Sequence, residues 1–143
     1  MNPVELYVET SAVLCWLLDQ HRGDQAYRTL TRATHVYTSD LTLVECDRAL
    51  HRVAITGELD EATAARARAA IETAAAHWNV CSIDAEVVDG ARRRFPHEPV
   101  RALDAIHLST AIFVRNLAPG VRLLSFDERI RRNAEALGFD GAV

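Results

Sequence analysis

The sequence predicts an α/β protein with three layers, in which a parallel sheet of four or five strands lies between helices. Short strand-like runs alternate with longer helix-like runs along all 143 residues, and this alternation is typical of a parallel sheet with helices on both faces. A chain of this length is the usual size of one domain. Because no repeat or low-complexity tract divides it, residues 1–143 are predicted to form a single domain.

Hydrophobic periodicity and helix signals define each predicted element. The first strand is indicated by Val4, Leu6 and Val8, which alternate with Glu5 and Tyr7 at the period of two that a strand requires. After it, in chain order, the patterns predict helices over 12–18 and 24–33, a strand over 35–38, helices over 41–55 and 60–77, a strand over 80–83, helices over 85–95 and 102–117, a strand over 121–125, a helix over 127–137 and a short edge strand over 139–143.

Capping residues support these boundaries. Thr10-Ser11, Ser39-Asp40 and Asp84 each precede a predicted helix, and their side-chain oxygens can accept hydrogen bonds from its free N–H groups. Gly57 and Pro119-Gly120 follow predicted helices, where these residue types end helical structure.

Composition limits the classes of function. The net charge of −4 excludes a globally basic nucleic-acid binder, so any contact with RNA or DNA must be local or mediated by a metal ion. The chain has three cysteines, an odd number, and they are widely separated at Cys15, Cys46 and Cys81, which indicates buried, reduced thiols. The longest apolar run, 12–18, is far shorter than the roughly 20 residues that span a membrane. We therefore expect a cytoplasmic protein without a membrane segment.

Four acidic residues stand next to or within apolar runs. Glu9 and Asp127 follow predicted strands, and Glu45 and Asp104 lie in apolar helical segments. The helix 102–117, which contains Asp104, is apolar on nearly every face and is therefore expected to be buried. Carboxyl ends of parallel strands share one edge of a sheet, where ligands bind. Carboxylates about 4 Å apart repel by on the order of 4 kcal/mol per pair at an effective dielectric of 20, so such a cluster requires cations. Mg²⁺ or Mn²⁺ takes oxygen ligands, and two such ions can promote phosphodiester cleavage.

Each acidic residue also has a simpler interpretation. Asp104 could interact with the dipole of its own helix, and Asp127 could be a helix N-cap. Glu45 could be a surface residue that pairs with Arg48, and Glu9 could be an ordinary charge at a sheet end. His107, three residues after Asp104, could be a fifth ligand or a core histidine bonded to the backbone.

Four segments of the chain are recognisable together. The sequence resembles the signature segments of PIN-domain ribonucleases in Tyr7-Val8-Glu9-Thr10-Ser11-Ala12, Thr42-Leu43-Val44-Glu45, Arg101-Ala102-Leu103-Asp104-Ala105-Ile106-His107-Leu108-Ser109-Thr110-Ala111 and Ser125-Phe126-Asp127-Glu128-Arg129. They occur in the family's order over nearly the whole chain, and they are most similar to the VapC-type toxins of bacterial toxin–antitoxin pairs.

This resemblance implies an α/β/α fold in which Glu9, Glu45, Asp104 and Asp127 hold Mg²⁺ or Mn²⁺ for the cleavage of RNA by a metal-activated water. It also implies that Thr10 or Ser11 orients the first carboxylate or a metal-bound water. Similar proteins form homodimers and are neutralised by a small antitoxin that covers the groove. The apolar run 12–18, which includes Trp16, could contribute to either contact.

Glu9 departs from the family pattern, which has aspartate at this position. Glutamate keeps the charge but extends the side chain by about 1.5 Å, and a misplacement of about 1 Å can cost on the order of 10²-fold in rate. Two hypotheses follow: an endoribonuclease toxin with activity reduced by Glu9, or a catalytically silent module that binds protein or RNA. Arginines at 92–94 with Arg101, or at 129, 131 and 132, could contact phosphates or be ordinary surface residues.

Overall fold

The structure, a computed structural model, describes residues 2–143, so that residue 1 of the predicted domain lies outside it. Strands and helices alternate in the predicted order. In chain order the elements are β1 (Glu5–Val8), α1 (Thr10–Leu17), α2 (Gly23–Arg32), β2 (His35–Ser39), α3 (Asp40–Ile55), α4 (Glu61–Ala75), β3 (Asn79–Cys81), α5 (Ala85–Ala91), α6 (Ala102–Leu117), β4 (Arg122–Leu124) and α7 (Glu128–Ala136).

The four strands form one sheet in the order β3-β2-β1-β4, and all neighbouring strands are parallel. This confirms the predicted α/β fold with a parallel sheet. The edge strand predicted over 139–143 is reduced to a single parallel bridge between Leu123 and Gly141. The chain leaves α7 through Gly138, whose φ is +91°, and the residues that follow return to β4 at this single bridge.

Alternate residues of β1 face opposite sides of the sheet, as a strand's period of two requires. Tyr7 packs with Leu108, Leu123 and Ile130 in one buried cluster. Leu6 and Val8 pack in the other cluster, with residues that include Leu30 and Leu124. The sheet therefore separates two hydrophobic cores, each covered by helices, which is the predicted three-layer arrangement.

The strand order places a crevice beside β1. From β1 the chain moves to β2 and β3 on one side of the sheet and returns to β4 on the other side. Where the order reverses in this way, the helices that follow the two central strands diverge, and ligands bind outside the carboxyl ends of those strands. The residues that directly follow β1 and β4, which include Glu9 and Ser125, lie at this position.

Burial is less complete than expected for the helix 102–117 and for the cysteines. The apolar helix 102–117 was expected to be buried on nearly every face, but the side chains of Leu103 and Leu117, near its two ends, are 48% and 66% exposed. All three cysteines are free, with Cys46 buried and Cys15 and Cys81 half-buried. Within residues 2–143, no helix has the length and apolar character needed to cross a membrane.

The turn between α1 and α2 contains two left-handed residues and brings the backbones of the two helices into close contact. Asp19 and Arg22 both adopt left-handed backbone conformations, with φ of +50° and +73°, which are uncommon for residues other than glycine. Gly23 then approaches the backbone of α1 so closely that a Cβ atom there would lie 2.5 Å from the carbonyl oxygen of Cys15. The absence of a side chain at Gly23 thus sets the position of α2.

Gly23→Ala is expected to destabilise the fold by about 1–3 kcal/mol, because the added methyl group overlaps backbone that cannot rotate away. The measurement is the free energy of unfolding in urea. Gly120→Ala is the matched control, since a Cβ at position 120 meets no atom within 4 Å, and its effect should be small. Equal stability of the two variants would contradict the assigned role of Gly23.

Candidate functional site

Glu9 is a buried carboxylate at the crevice beside β1. It directly follows the strand, its backbone N–H donates to the carbonyl oxygen of Leu124 at 3.0 Å, and it is only 5% exposed. Its Oε2 accepts hydrogen bonds from the hydroxyls of Ser11 at 2.5 Å and Ser125 at 2.7 Å. These serines come from the start of α1 and the end of β4, so the sheet topology assembles the first part of the site.

Burial raises the pKa of Glu9 above its ordinary value. Electrostatic attraction to His107 and the hydrogen bonds from Ser11 and Ser125 oppose this shift without cancelling it. Within residues 2–143, the ion pairs do not include Glu9. Its negative charge is therefore costly for the folded protein when no cation is bound.

Glu9→Gln is expected to stabilise the metal-free protein at neutral pH. Because the pKa is raised in the folded state, stability is lost as pH rises through that folded pKa, and the neutral amide avoids the loss. The measurement is the difference in Tm between variant and parent in chelator as a function of pH. The increase in Tm should appear at neutral pH and vanish below the ordinary glutamate pKa of about 4.3, where Glu9 is protonated in both the folded and the unfolded protein. A lower Tm for the variant at neutral pH would contradict this expectation.

Glu45, on α3, is held by two side chains from other elements. Nε2 of His107 lies 2.6 Å from Oε1 of Glu45 and is the donor, because a carboxylate oxygen only accepts. The hydroxyl of Thr10 donates to the same oxygen at 2.7 Å. Burial by itself would raise the pKa of Glu45, but the hydrogen bonds from His107 and Thr10 outweigh it and hold the pKa below its ordinary value. Glu45 is therefore kept ionised, and the predicted alternative of a pair with Arg48 is not formed.

Asp104 lies in the first turn of α6 and is largely buried, with 9% exposure. Its Oδ2 accepts a hydrogen bond from Nε of Arg101 at 3.2 Å. It also lines a groove of about 260 Å³ together with Arg129 and Arg132. Two of the three arginines that follow Asp127 in the sequence therefore lie at the same groove as a predicted site residue.

Asp127 connects to Glu9 through Ser125. Its backbone N–H donates to the Ser125 hydroxyl at 3.1 Å, the same hydroxyl that binds Glu9. Its own Oδ1 accepts hydrogen bonds from the backbone N–H groups of Arg129 and Ile130 at 2.9 and 3.3 Å. The N-cap interpretation is therefore correct for Asp127, although a cap that uses Oδ1 leaves Oδ2 available for another role.

Comparison with known proteins shows the family to which the chain belongs. The sequence model of the PIN domain matches residues 6–136. The chain belongs to the PIN-domain family. Two relatives from Mycobacterium tuberculosis are Ribonuclease VapC35, which is 32% identical over 92% of this chain and 91% of its own length, and Ribonuclease VapC46, 33% identical over 93% and 92%. These matches identify the chain as a PIN domain of the VapC type.

Solved PIN-domain toxins share the fold. The structure of the Mycobacterium tuberculosis toxin VapC20, described as cleaving the sarcin–ricin loop, superposes with a TM-score of 0.65 at 23% identity and covers 94% of this chain and 96% of VapC20. A toxin–antitoxin complex from Klebsiella pneumoniae gives a TM-score of 0.63 at 15% identity, with 94% of this chain and 92% of that chain covered. At these identities the likeness concerns the fold alone.

The four acidic residues that the sequence predicted as ligands offer only carboxylate oxygens, which suit a hard divalent cation. The described side chains, however, are engaged by protein partners. Glu45 contacts His107 and Thr10, Asp104 contacts Arg101, and Asp127 caps α7. Across residues 2–143, no three His, Cys, Asp or Glu side chains are grouped so that they could hold a metal ion. Glu9, which is buried and belongs to none of the ion pairs among residues 2–143, is the carboxylate whose charge a cation would compensate most directly.

The structure places two further side chains at the site, those of Ser125 and His107, whose roles the sequence indicated weakly. Ser125 joins Glu9 to Asp127, and its only signal in the sequence was its place in the segment Ser125-Phe126-Asp127-Glu128-Arg129. His107 was considered as a ligand or as a core histidine bonded to the backbone, but its partner is the carboxylate of Glu45. Of the two predicted hydroxyls, Ser11 contacts Glu9, whereas Thr10 contacts Glu45 and lies 3.2 Å from Nε2 of His107.

Proposed function

We propose that this VapC-type PIN domain is an endoribonuclease toxin that depends on Mg²⁺ or Mn²⁺. The observation that carries the proposal is Glu9, a buried carboxylate without an ion-pair partner, at the crevice where the strand order reverses. Glu45, Asp104 and Asp127 complete the proposed ligand set. A bound divalent cation would supply a nucleophilic water at neutral pH and stabilise charge on the phosphate oxygens.

The chain's own residues position this chemistry. Ser11 and Ser125 hold Oε2 of Glu9, so that Oε1 is the oxygen left for a cation. His107 and Thr10 fix Oε1 of Glu45 and keep that carboxylate ionised. Arg101, Arg129 and Arg132 lie near Asp104 and can contact phosphate oxygens of RNA, which arginine binds well through its planar guanidinium.

We also propose a cognate antitoxin and a homodimer as partners. Structural neighbours include toxin–antitoxin complexes, one from Klebsiella pneumoniae and one from Rickettsia felis. On this chain, α1, α2 and α4 form an apolar groove of about 700 Å³ that includes Trp16, Tyr27 and Ala70. A groove of this character fits the apolar face of a helix, and Trp16 is the residue of the apolar run 12–18 that lines it.

A catalytically silent PIN module is the second candidate, and a specific observation favours it. Glu9, in place of the family's aspartate, is bound by two serines, and within the described residues no three ligands are grouped for a metal ion. Such a module would bind RNA or protein without cleaving it.

RNA cleavage by the parent chain and by Glu9→Asp, each with Mn²⁺ and with chelator, separates the candidates. We expect cleavage by both, lost in chelator, with Glu9→Asp faster by up to about 10²-fold because its carboxylate has the usual reach. Cleavage by Glu9→Asp only would mean that Glu9 has disabled an otherwise intact site. Failure of both folded, antitoxin-free proteins to cleave would favour the silent module.

A further inference from the structure

A second groove, separate from the acidic residues, is lined by positive side chains. It has a volume of about 650 Å³ and lies between α2 and the segment Ala142–Val143. Arg22, Arg28 and Arg32 line it together with His21, and Asp24 is the acidic side chain among its lining residues. We call this surface the α2 arginine groove. Its charge is opposite to the net charge of −4 of the whole chain.

The arginines form one stripe along α2. Within α2, Gln25, Arg28 and Arg32 are separated by three and four residues, the spacing that places side chains on one face of a helix, and Arg22 is the N-cap that precedes them. At a rise of about 1.5 Å per residue, the part of the stripe from Gln25 to Arg32 is about 10 Å long. Arg28 and Arg32 are exposed, and the ion pairs among residues 2–143 include none of the three arginines. Their charge is therefore available to a ligand.

Arg22 connects this stripe to the acidic site. Its guanidinium lies 4.2 Å from the centroid of the Phe126 ring, and its Nε donates to Gln25 at 3.2 Å. The backbone N–H of Phe126 in turn donates to the hydroxyl of Ser11, which binds Glu9. The α2 arginine groove thus begins three contacts away from the carboxylate that anchors the proposed metal site.

The backbone conformation of Arg22 supports a functional position. With φ of +73° it occupies the left-handed region, which costs a non-glycine residue on the order of 1 kcal/mol. Gly23 fixes this turn by its close approach to Cys15. The turn therefore keeps a strained arginine stacked beside the site. Glycine or asparagine would adopt this backbone conformation more easily.

We propose that the α2 arginine groove binds the phosphate backbone of single-stranded RNA that extends from the cleavage site. This inference rests on the proposed function for the choice of RNA. A chain of net negative charge repels RNA as a whole, so local positive surfaces must capture it. The α2 arginine groove supplies one in addition to the arginines near Asp104. Arginines in a helical stripe contact successive phosphates without reading bases, so the groove contributes affinity that is independent of sequence.

The test is RNA binding in chelator, where cleavage cannot occur. The probe is a fluorescent single-stranded RNA of mixed sequence, and its affinity is measured by anisotropy over a range of salt concentrations. Arg28→Gln/Arg32→Gln removes two charges from the groove. We expect affinity at low salt to fall about tenfold and the slope of log K against log salt to decrease by about 1.4, since each phosphate contact on a single strand contributes about 0.7.

Arg48→Gln/Arg52→Gln is the matched control. These arginines are also exposed and four residues apart, but on α3, and the pair produces the same change in net charge. Its affinity and salt slope should change by less than half as much. Thermal melts of both double variants should match the parent, because all four side chains are exposed.

The outcomes separate this inference from the proposed function. Equal losses of RNA affinity in the two double variants, or no loss in either, would contradict the assignment of the groove to RNA. Cleavage by the parent with Mn²⁺ would then still support the proposed nuclease. If RNA binding depends on Arg28 and Arg32 but the parent does not cleave RNA, the groove assignment is supported and the proposed nuclease activity is contradicted. If a poly-glutamate peptide binds with dependence on Arg28 and Arg32 and RNA does not, the groove receives an acidic protein segment and the RNA assignment is wrong.

Discussion

Asp104→Asn is expected to abolish metal-dependent RNA cleavage, with a loss of at least about 10²-fold, the order produced by removing one group from a preorganised charged site. The amide keeps the shape of the side chain but removes the charge that a hard cation requires. The measurement is initial cleavage rate with Mn²⁺, together with Mn²⁺ binding followed by calorimetry, so that metal affinity is read separately from rate.

Folding should survive this change. The i,i+3 pair between Arg101 and Asp104 joins an arginine side chain that is 66% exposed to an aspartate side chain that is 12% exposed. Such pairs contribute less than about 1 kcal/mol. Asp47→Asn is the matched control, because Asp47 is an exposed carboxylate two residues from Glu45 and should leave cleavage unchanged. Full activity of Asp104→Asn would sink the assignment of Asp104 as a metal ligand.

His107→Ala is expected to weaken both stability and activity. His107 is 2% exposed and contacts Glu45, Thr10 and, at 3.5 Å through Nδ1, the hydroxyl of Tyr7. Its removal leaves a cavity and unpaired polar groups, which should cost about 2–4 kcal/mol in the free energy of unfolding. Loss of a residue that orients a metal ligand typically costs 10–100-fold in metal affinity or activity, and we expect a decrease of that order here.

His107→Gln distinguishes orientation from packing, because glutamine can still donate a hydrogen bond to Glu45. We expect it to recover part of the cleavage rate even if its stability resembles that of His107→Ala. Urea unfolding and Mn²⁺-dependent cleavage should be measured for both variants. If cleavage follows stability alone in the two variants, His107 serves the core and has no role in orienting Glu45.

The sequence determined the order of elements and the edge at which the site forms. Alternating periodicities placed all four strands and seven helices within a few residues of their observed bounds, because such patterns depend on nearby residues. Parallel strands share their carboxyl ends at one edge, so Glu9 and Asp127 were expected together there. The sequence failed where burial depended on distant packing, as at the exposed ends of α6.

Only the tertiary structure decided the distant partners of Glu9 and Glu45, whereas the contacts of Asp104 with Arg101 and of Asp127 with its own helix are local. Ser125 meets Glu9 across 116 positions of the chain, and His107 meets Glu45 across 62. No local pattern encodes such contacts, because they depend on strand order, on register and on which rotamer the surrounding atoms allow. The same holds for Arg22 over Phe126, since a left-handed residue at a turn and a ring after β4 become neighbours only when β4 lies beside β1.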